Sequence, residues 1–381
     1  MPKSKKFILV KLFCISTLCC SLIAQSQNSK SILKDTIDGK VDFSKYILEA
    51  KGFLPAMTLI TEPALGGFGV GVAPLFISPK KQTDSSSYVP PDITTVLGMY
   101  TSNNSWGAGA LRIGSFPKQK MKYRIGGGYT NINLSIYKNF EILGEREFEF
   151  NFRSIPVFLS LSRKIGNTDL YGGFNYLFLN TKVSPNFNSD LPEFVTNKEL
   201  NSNISSLGVF LEMDKRNSIF TPDKGFYANL DYSINANWTG SDYQYQRLNA
   251  KASVFLPLRH NWISGFRMEV QHVFDDPPFY LLPSVDMRGI PAARYQGSTT
   301  MLLATEQRYD INFRWSGLVF GGMGKALQKN QSFSSADLVY GVGGGFRYLL
   351  ARTFNFRAGL DLAYGQEGWA YYFVFGHAWN R

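Results

Sequence analysis

The chain has little cysteine. Three occur in 381 residues, Cys14, Cys19 and Cys20, all close to the N-terminus. Residues 1–24 read as a secretory signal: Lys3, Lys5 and Lys6 open it, a mainly apolar stretch runs from Phe7 to Ile23, and Ala24 is the expected cleavage point. Cleavage there removes every thiol, which excludes disulfides, Cys-bound metals and Cys nucleophiles from the mature chain. Histidine is as scarce, with His260, His272 and His377 alone, and no cluster has the spacing of metal ligands. A hydrolytic site would need one of these beside a serine and an acid. His260 sits in the turn "LRHN", and His272 and His377 read as imidazoles at strand ends. The expectation is a non-enzyme without cofactor or metal.

Dense charge of one sign is also missing. Losing the signal removes four lysines and leaves 36 basic against 29 acidic side chains, a net charge of +7 spread along the chain. That excludes a nucleic-acid footprint and leaves contact with lipid phosphates as a minor role. Beyond the signal no run of about 18 apolar residues occurs, so a transmembrane helix is excluded on length. The GGG runs at 126–128 and 343–345 are not phosphate loops, because no helix follows either.

What the chain does have is aromatic residues, glycine and alternation. It carries 31 Phe, 20 Tyr and 35 Gly. In "SSLGVFLEMD", Leu207, Val209, Leu211 and Met213 alternate with Ser206, Gly208, Phe210, Glu212 and Asp214. In "GFYANLDYSINANW" the same period runs from Phe226 to Trp238. Each is a strand with one apolar and one polar face. A soluble sandwich or propeller would show the same alternation, but these strands run about 10 to 15 residues, the length of a tilted bilayer crossing. Trp238, Trp262, Trp369 and Trp379 fall near strand ends, where an interfacial girdle places aromatic rings.

In a bilayer every backbone group must be paired, so such a sheet closes on itself. The fold expected is all-β, a closed antiparallel transmembrane β-barrel over residues 53–381, preceded by a short periplasmic segment, 25–52. Fifteen strands can be counted from 66–77 to 369–379. Bacterial single-chain barrels have even numbers, so a sixteenth is expected around Phe53 to Thr61 or inside 146–164. Segments 78–91, 184–202, 275–297 and 325–336 read as long loops.

One stretch asks for more than a barrel wall. "DMRGIPAARYQGSTTMLLATEQRYDI" begins as a loop carrying Arg288 and Gly289 and becomes a strand with Glu306, Arg308 and Asp310 on one face. "MRGI" (Met287 to Ile290) resembles the Arg-Gly-aromatic motif of the BamA/TamA superfamily, also called the bacterial surface antigen family, with Ile290 in place of the aromatic. "ATEQRYDI" is similar to the strand that follows in that family, and "EMDKRNSIFTPDKG" resembles its Asp-x-Arg strand end and Phe-x-Pro-x-x-Gly turn, with Asp214, Arg216, Phe220, Pro222 and Gly225 in place. Where the family carries Phe-x-Asp-x-Gly, this chain has "FGGMG", with Gly322 at the acidic position.

The resemblance implies a 16-stranded outer-membrane barrel without POTRA domains, whose loop 275–297 folds into the lumen. There Arg288 would pair with Glu306, its one remaining carboxylate, and Gly322→Asp would tighten the loop. It implies a role in outer-membrane biogenesis or transport, without catalysis. The partners implied are outer-membrane lipids and lipopolysaccharide, the barrel-assembly machinery during insertion, and an unknown periplasmic partner at residues 25–52. A passive porin and a lipid-modifying barrel enzyme are the alternatives. A solvated Arg288 beside a turn glycine is the plain reading of the motif.

Overall fold

Period-2 sequences pair through their backbones and place their two kinds of side chain on opposite faces, and here they form a single antiparallel sheet. A computed structural model describes residues 32–49, 53–54, 57–78, 80, 91–140, 144–187 and 191–379. The signal segment lies outside them. The strands are β1 (Phe53–Leu54), β2 (Met57–Ile60), β3 (Gly69–Val72), β4 (Leu75–Ser78), β5 (Asp92–Thr101), β6 (Trp106–Phe116), β7 (Met121–Phe140), β8 (Gly144–Lys164) and β9 (Leu170–Pro185). They continue as β10 (Asn201–Asp214), β11 (Gly225–Asn235), β12 (Tyr245–Arg259), β13 (Trp262–Phe274), β14 (Thr299–Asp310), β15 (Trp315–Leu327), β16 (Val339–Ala351), β17 (Phe356–Gly365) and β18 (Gly368–Phe375).

From β5 to β18 each strand pairs with the next. β3 and β4 both pair with β5, and β2 pairs with β3. The stretch expected as one strand over 66–77 is therefore broken at Ala73 and Pro74, where proline has no N–H to give the ladder. Counting β3 and β4 as one broken strand and β1 as a spur on β4, the barrel has sixteen strands. The sixteenth is Met57–Ile60; β8 crosses 146–164 without interruption. The ends meet where Thr61 Oγ1 donates to the Tyr371 carbonyl and the Tyr371 hydroxyl reaches the Gly67 carbonyl at 3.4 Å. Among the described residues no helix is long and apolar enough to cross a membrane.

The outer wall is apolar and uncovered: Val209, Leu303, Val319, Val342 and Leu362, on five different strands, are each more than two-fifths exposed. A continuous apolar surface of this extent is stable only against a nonaqueous partner, which the bilayer supplies. Short turns (116–121, 164–170, 259–262, 310–315, 351–356) mark one end of the barrel and long loops the other. In outer-membrane barrels the short turns face the periplasm.

The last strand is shorter than the expected 369–379. It ends at Phe375, and Gly376, at φ +77°, redirects the chain. A side chain at 376 would also come within 2.8 Å of the Phe220 carbonyl. Trp379 consequently leaves the outer girdle and packs against Phe255 and His377, with ring centroids 5.8 and 4.7 Å away. β11 likewise stops at Asn235, so Trp238 belongs to the following turn and is exposed.

Residues 32–49 do not hang free of the barrel. Arg314, in the turn between β14 and β15, is 1% exposed and is gripped by Asp35 (2.6 Å), Asp38 (2.7 Å) and Asp42 (2.7 Å). Arg352 adds a second bond to Asp35 at 3.0 Å. Helix α1 (Ser44–Glu49) follows, and its Ile47 packs with Ile77 of β4 and with Ala351 and Phe356 of the far edge. The segment is thus a strap joining the first and last parts of the sheet at the short-turn end.

Candidate functional site

Loop 275–298 enters the lumen because its apolar residues find an apolar inner wall. Val285, Met287 and Ile290 are buried with Leu302 of β14 and Val339 of β16. The wall admits the loop backbone through glycines: a side chain at Gly341 would lie 2.5 Å from the Arg288 carbonyl, and one at Gly365 would lie 2.3 Å from the Gly289 carbonyl. Gly289 itself holds φ +91°, a conformation glycine adopts without steric cost, and its N–H donates to the Tyr372 hydroxyl at 3.0 Å.

This path brings Arg288 to the centre of an ionic network. Nη2 lies 2.6 Å from Glu306 Oε2 and Nη1 2.5 Å from Asp361 Oδ2. Its guanidinium carbon stands 3.5 Å from the Phe320 ring centroid. Asp361, fully buried, also accepts from Arg347 at 2.5 and 2.9 Å. His377 Nε2 approaches Glu306 Oε1 at 3.2 Å. Charges this deep are tolerated only when every one is paired and hydrogen-bonded, and cation alternates with anion from Arg347 through Asp361 and Arg288 to Glu306.

Two sequence readings are corrected here. The second carboxylate for Arg288 is present: Asp361 on β17 supplies it. Gly322 faces the Met287 side chain, whose Sδ would lie 2.6 Å from a Cβ there and would have to move aside. His377 is not an interfacial imidazole, because the turn at Gly376 carries it inside to Glu306. Asp361, Arg347 and Tyr372 were missed. Asp361 alone left a trace, as the single acid in "RAGLDLAYG" on the face it shares with Gly359 and Ala363.

The other residues singled out gather at the short-turn end. Arg308 bonds Asp310 at 3.1 Å and also Asp223 in the turn between β10 and β11. Asp214 takes Arg216 in a two-point pair, Nε to Oδ1 at 2.9 Å and Nη2 to Oδ2 at 2.8 Å. Pro222 is buried, and Gly225, at φ +103°, lies where a side chain would strike the Lys215 carbonyl at 2.1 Å. Asn355 accepts this turn into the barrel floor, donating to the Thr221 carbonyl at 2.6 Å and to Asp223 at 2.7 Å. Arg288, Gly289 and Glu306 thus form one cluster; Arg308 and Asp310 form a second that meets the β10–β11 turn through Asp223; Asp214, Arg216 and Gly225 stand together where that turn joins its two strands.

Residues 103–281 match the Omp85 superfamily domain. The barrel also superposes on BamA from Haemophilus ducreyi lacking POTRA domains 1–3, with TM-score 0.56, 12% identity, 90% of this chain and 80% of that one. Residues 103–281 thus carry an Omp85 superfamily domain, and the fold of the whole is that of a BamA-like barrel. CdiB from Escherichia coli is similar in fold, with TM-score 0.58, 10% identity, 84% of this chain and 62% of that one. CdiB from Acinetobacter baumannii gives TM-score 0.51 and 11% identity, over 85% of this chain and 58% of that one. No curated protein matches the sequence. Within the Omp85 match fall β6 to β13, whereas the loop lock and its carboxylates lie in the part of the barrel beyond residue 281.

Proposed function

We propose that this Omp85 barrel is a non-catalytic outer-membrane component that inserts or translocates protein or lipid, with a lumen closed at rest by loop 275–298. The observation that carries this reading is the buried bridge from Arg288 to both Glu306 and Asp361, which holds the loop against the inner wall. A freely open porin would gain nothing from such a bridge. An enzyme would need a nucleophile and base in hydrogen-bond reach, whereas His377 faces a carboxylate and two arginines nearby. The role of residues 1–24 as a signal and of 25–52 as a periplasmic segment belongs to the same proposal, as does insertion through the barrel-assembly machinery into a membrane of lipid and lipopolysaccharide.

The test is conductance. Purified protein in planar bilayers should show little steady conductance, and deleting 284–296 should produce stable open channels. Wild-type protein conducting as freely as the loop deletion would support the porin reading instead.

A further inference from the structure

The loop and the C-terminal residues pack against β14 to β18. At the short-turn end a cavity of about 310 Å³ lies against β5 to β7 and β10 to β13, within the range of small-molecule sites. Five cations line it, Lys122, Arg124, Arg216, Lys251 and Arg267, against two carboxylates, Glu212 and Asp214.

How these charges are layered matters more than their count. Glu212 is 2% exposed and lies under Arg124 (2.5 Å) and Lys122 (3.2 Å), whose side chains are 42% and 22% exposed. Lys251, 32% exposed, likewise stands over Glu269, 13% exposed, at 3.8 Å. The carboxylates therefore sit against the wall and orient the cations, and the surface presented to the cavity is positive. Arg267, itself 7% exposed, keeps a buried Nε–H without a hydrogen-bond partner, although its Nη2 bonds Glu269. An unpaired donor at that depth costs free energy unless an acceptor enters. The same cavity also has an apolar lining, from Ile93, Ile113, Phe255 and Trp379.

We infer that this chamber binds the phosphate group of an anionic amphiphile, with the phosphate on the Arg124, Lys122 and Lys251 side and the first carbons of its apolar part against Phe255 and Trp379. Guanidinium and ammonium groups together suit a phosphate, the first by paired N–H donors and the second as a point charge. A free phosphate would leave the apolar wall unused; an uncharged lipid would leave the cationic layer unused. The inference rests on the transport reading for its purpose, naming a substrate class for it, but binding itself requires no transport.

The experiment titrates the purified protein in a nonionic detergent with dioctanoyl phosphatidic acid, dioctanoyl glycerol and inorganic phosphate, followed by calorimetry and by tryptophan fluorescence. Phosphatidic acid should bind saturably and change a fluorescence signal that Trp379→Phe removes. Lys251→Gln and Arg124→Gln should each weaken binding on the order of tenfold, the loss of one charged hydrogen bond, while Lys251→Arg restores it; Lys329→Gln, on the exposed loop surface, should change nothing. Retention of the heat-dependent gel shift shows that each variant is folded. Dioctanoyl glycerol binding as tightly, unchanged binding by Lys251→Gln, or a fluorescence change that survives Trp379→Phe would overturn the site. Inorganic phosphate displacing the lipid at equal concentration would overturn the amphiphile and leave a bare phosphate site. Failure of binding with a closed channel in bilayers sinks this inference alone; an open channel with intact binding sinks the plugged-lumen reading alone.

Discussion

Arg288 and Asp361 stand 73 residues apart in sequence and 2.5 Å apart in the barrel, both almost entirely buried. Removing the guanidinium leaves Glu306 and Asp361 in the lumen without that partner, a loss on the order of 3–5 kcal/mol for a broken buried pair. The strand ladders do not depend on it. Arg288→Ala should therefore assemble as a heat-modifiable barrel while its loop becomes cleavable between Asp275 and Gly297. Limited proteolysis of intact cells measures this, and equal cleavage of wild type and variant would return Arg288 to the solvated reading.

Asp361→Asn should loosen the loop as well, because the same carboxylate holds Arg347. Glu306→Gln should have a smaller effect, since Arg288 keeps Asp361. The ranking of the two variants in the same proteolysis assay is the check. Glu306→Gln as the more cleavable would mean that Asp361 is secondary.

Gly322→Asp should loosen the loop, not tighten it. Its new Cβ lies 2.6 Å from Met287 Sδ, so the thioether must move before the carboxylate can reach anything. Cleavage within 275–297 should rise, and Gly322→Ala should reproduce most of the rise if sterics rather than charge is responsible.

Arg314→Gln removes the cation that three aspartates share. Residues 32–49 should then leave the barrel rim and become protease-sensitive, with the loop at 275–297 unaffected. Spin labels at Asp38 and at Arg352 would report the separation directly; an unchanged distance would show that the Ile47 contacts hold the strap alone.

The strap should also survive mild acid. Hydrogen bonding from Arg314 lowers the Asp38 carboxyl to about 2. Burial pushes the Asp35 carboxyl up, but the Ile37 N–H, Arg352 and Arg314 together outweigh it and leave it below the usual value. Carboxyls lowered in the folded state contribute fully above their unfolded value, near 3.8, and lose that contribution as pH falls through the folded one. Protease resistance of 32–49 should therefore be flat from neutral pH to about 4 and fall between there and about 2. Loss of resistance near pH 6 would contradict the clasp.

Deleting 369–381 removes β18 and leaves the β17 edge unpaired in the bilayer, where each open backbone group costs several kcal/mol. No heat-modifiable barrel should form. Trp379→Ala, by contrast, should assemble normally, since the ring lies inside the lumen and outside the strand. Failure of Trp379→Ala to assemble would place that ring among the features needed for insertion.

Alternation, strand length and aromatic strand ends together pointed to an all-β barrel, because a period of two separates apolar from polar side chains and strands this long match a tilted bilayer crossing. It determined the inward face of Glu306, Arg308 and Asp310 for the same reason, and the place of every cysteine before residue 21 left no thiol within residues 53–381 to cross-link the barrel. The interruption of the first long strand was legible in Pro74 only once its neighbours were known. Partnership was not legible at all. Asp361 meets Arg288 because β17 lies where the loop descends, Arg314 meets three aspartates because the N-terminal segment passes beneath the seam, and His377 meets Glu306 because Gly376 turns inward. Each of these pairs joins residues that are remote in sequence and close only after the sheet has closed, so strand register and lumen shape, rather than local pattern, decided which charges found one another.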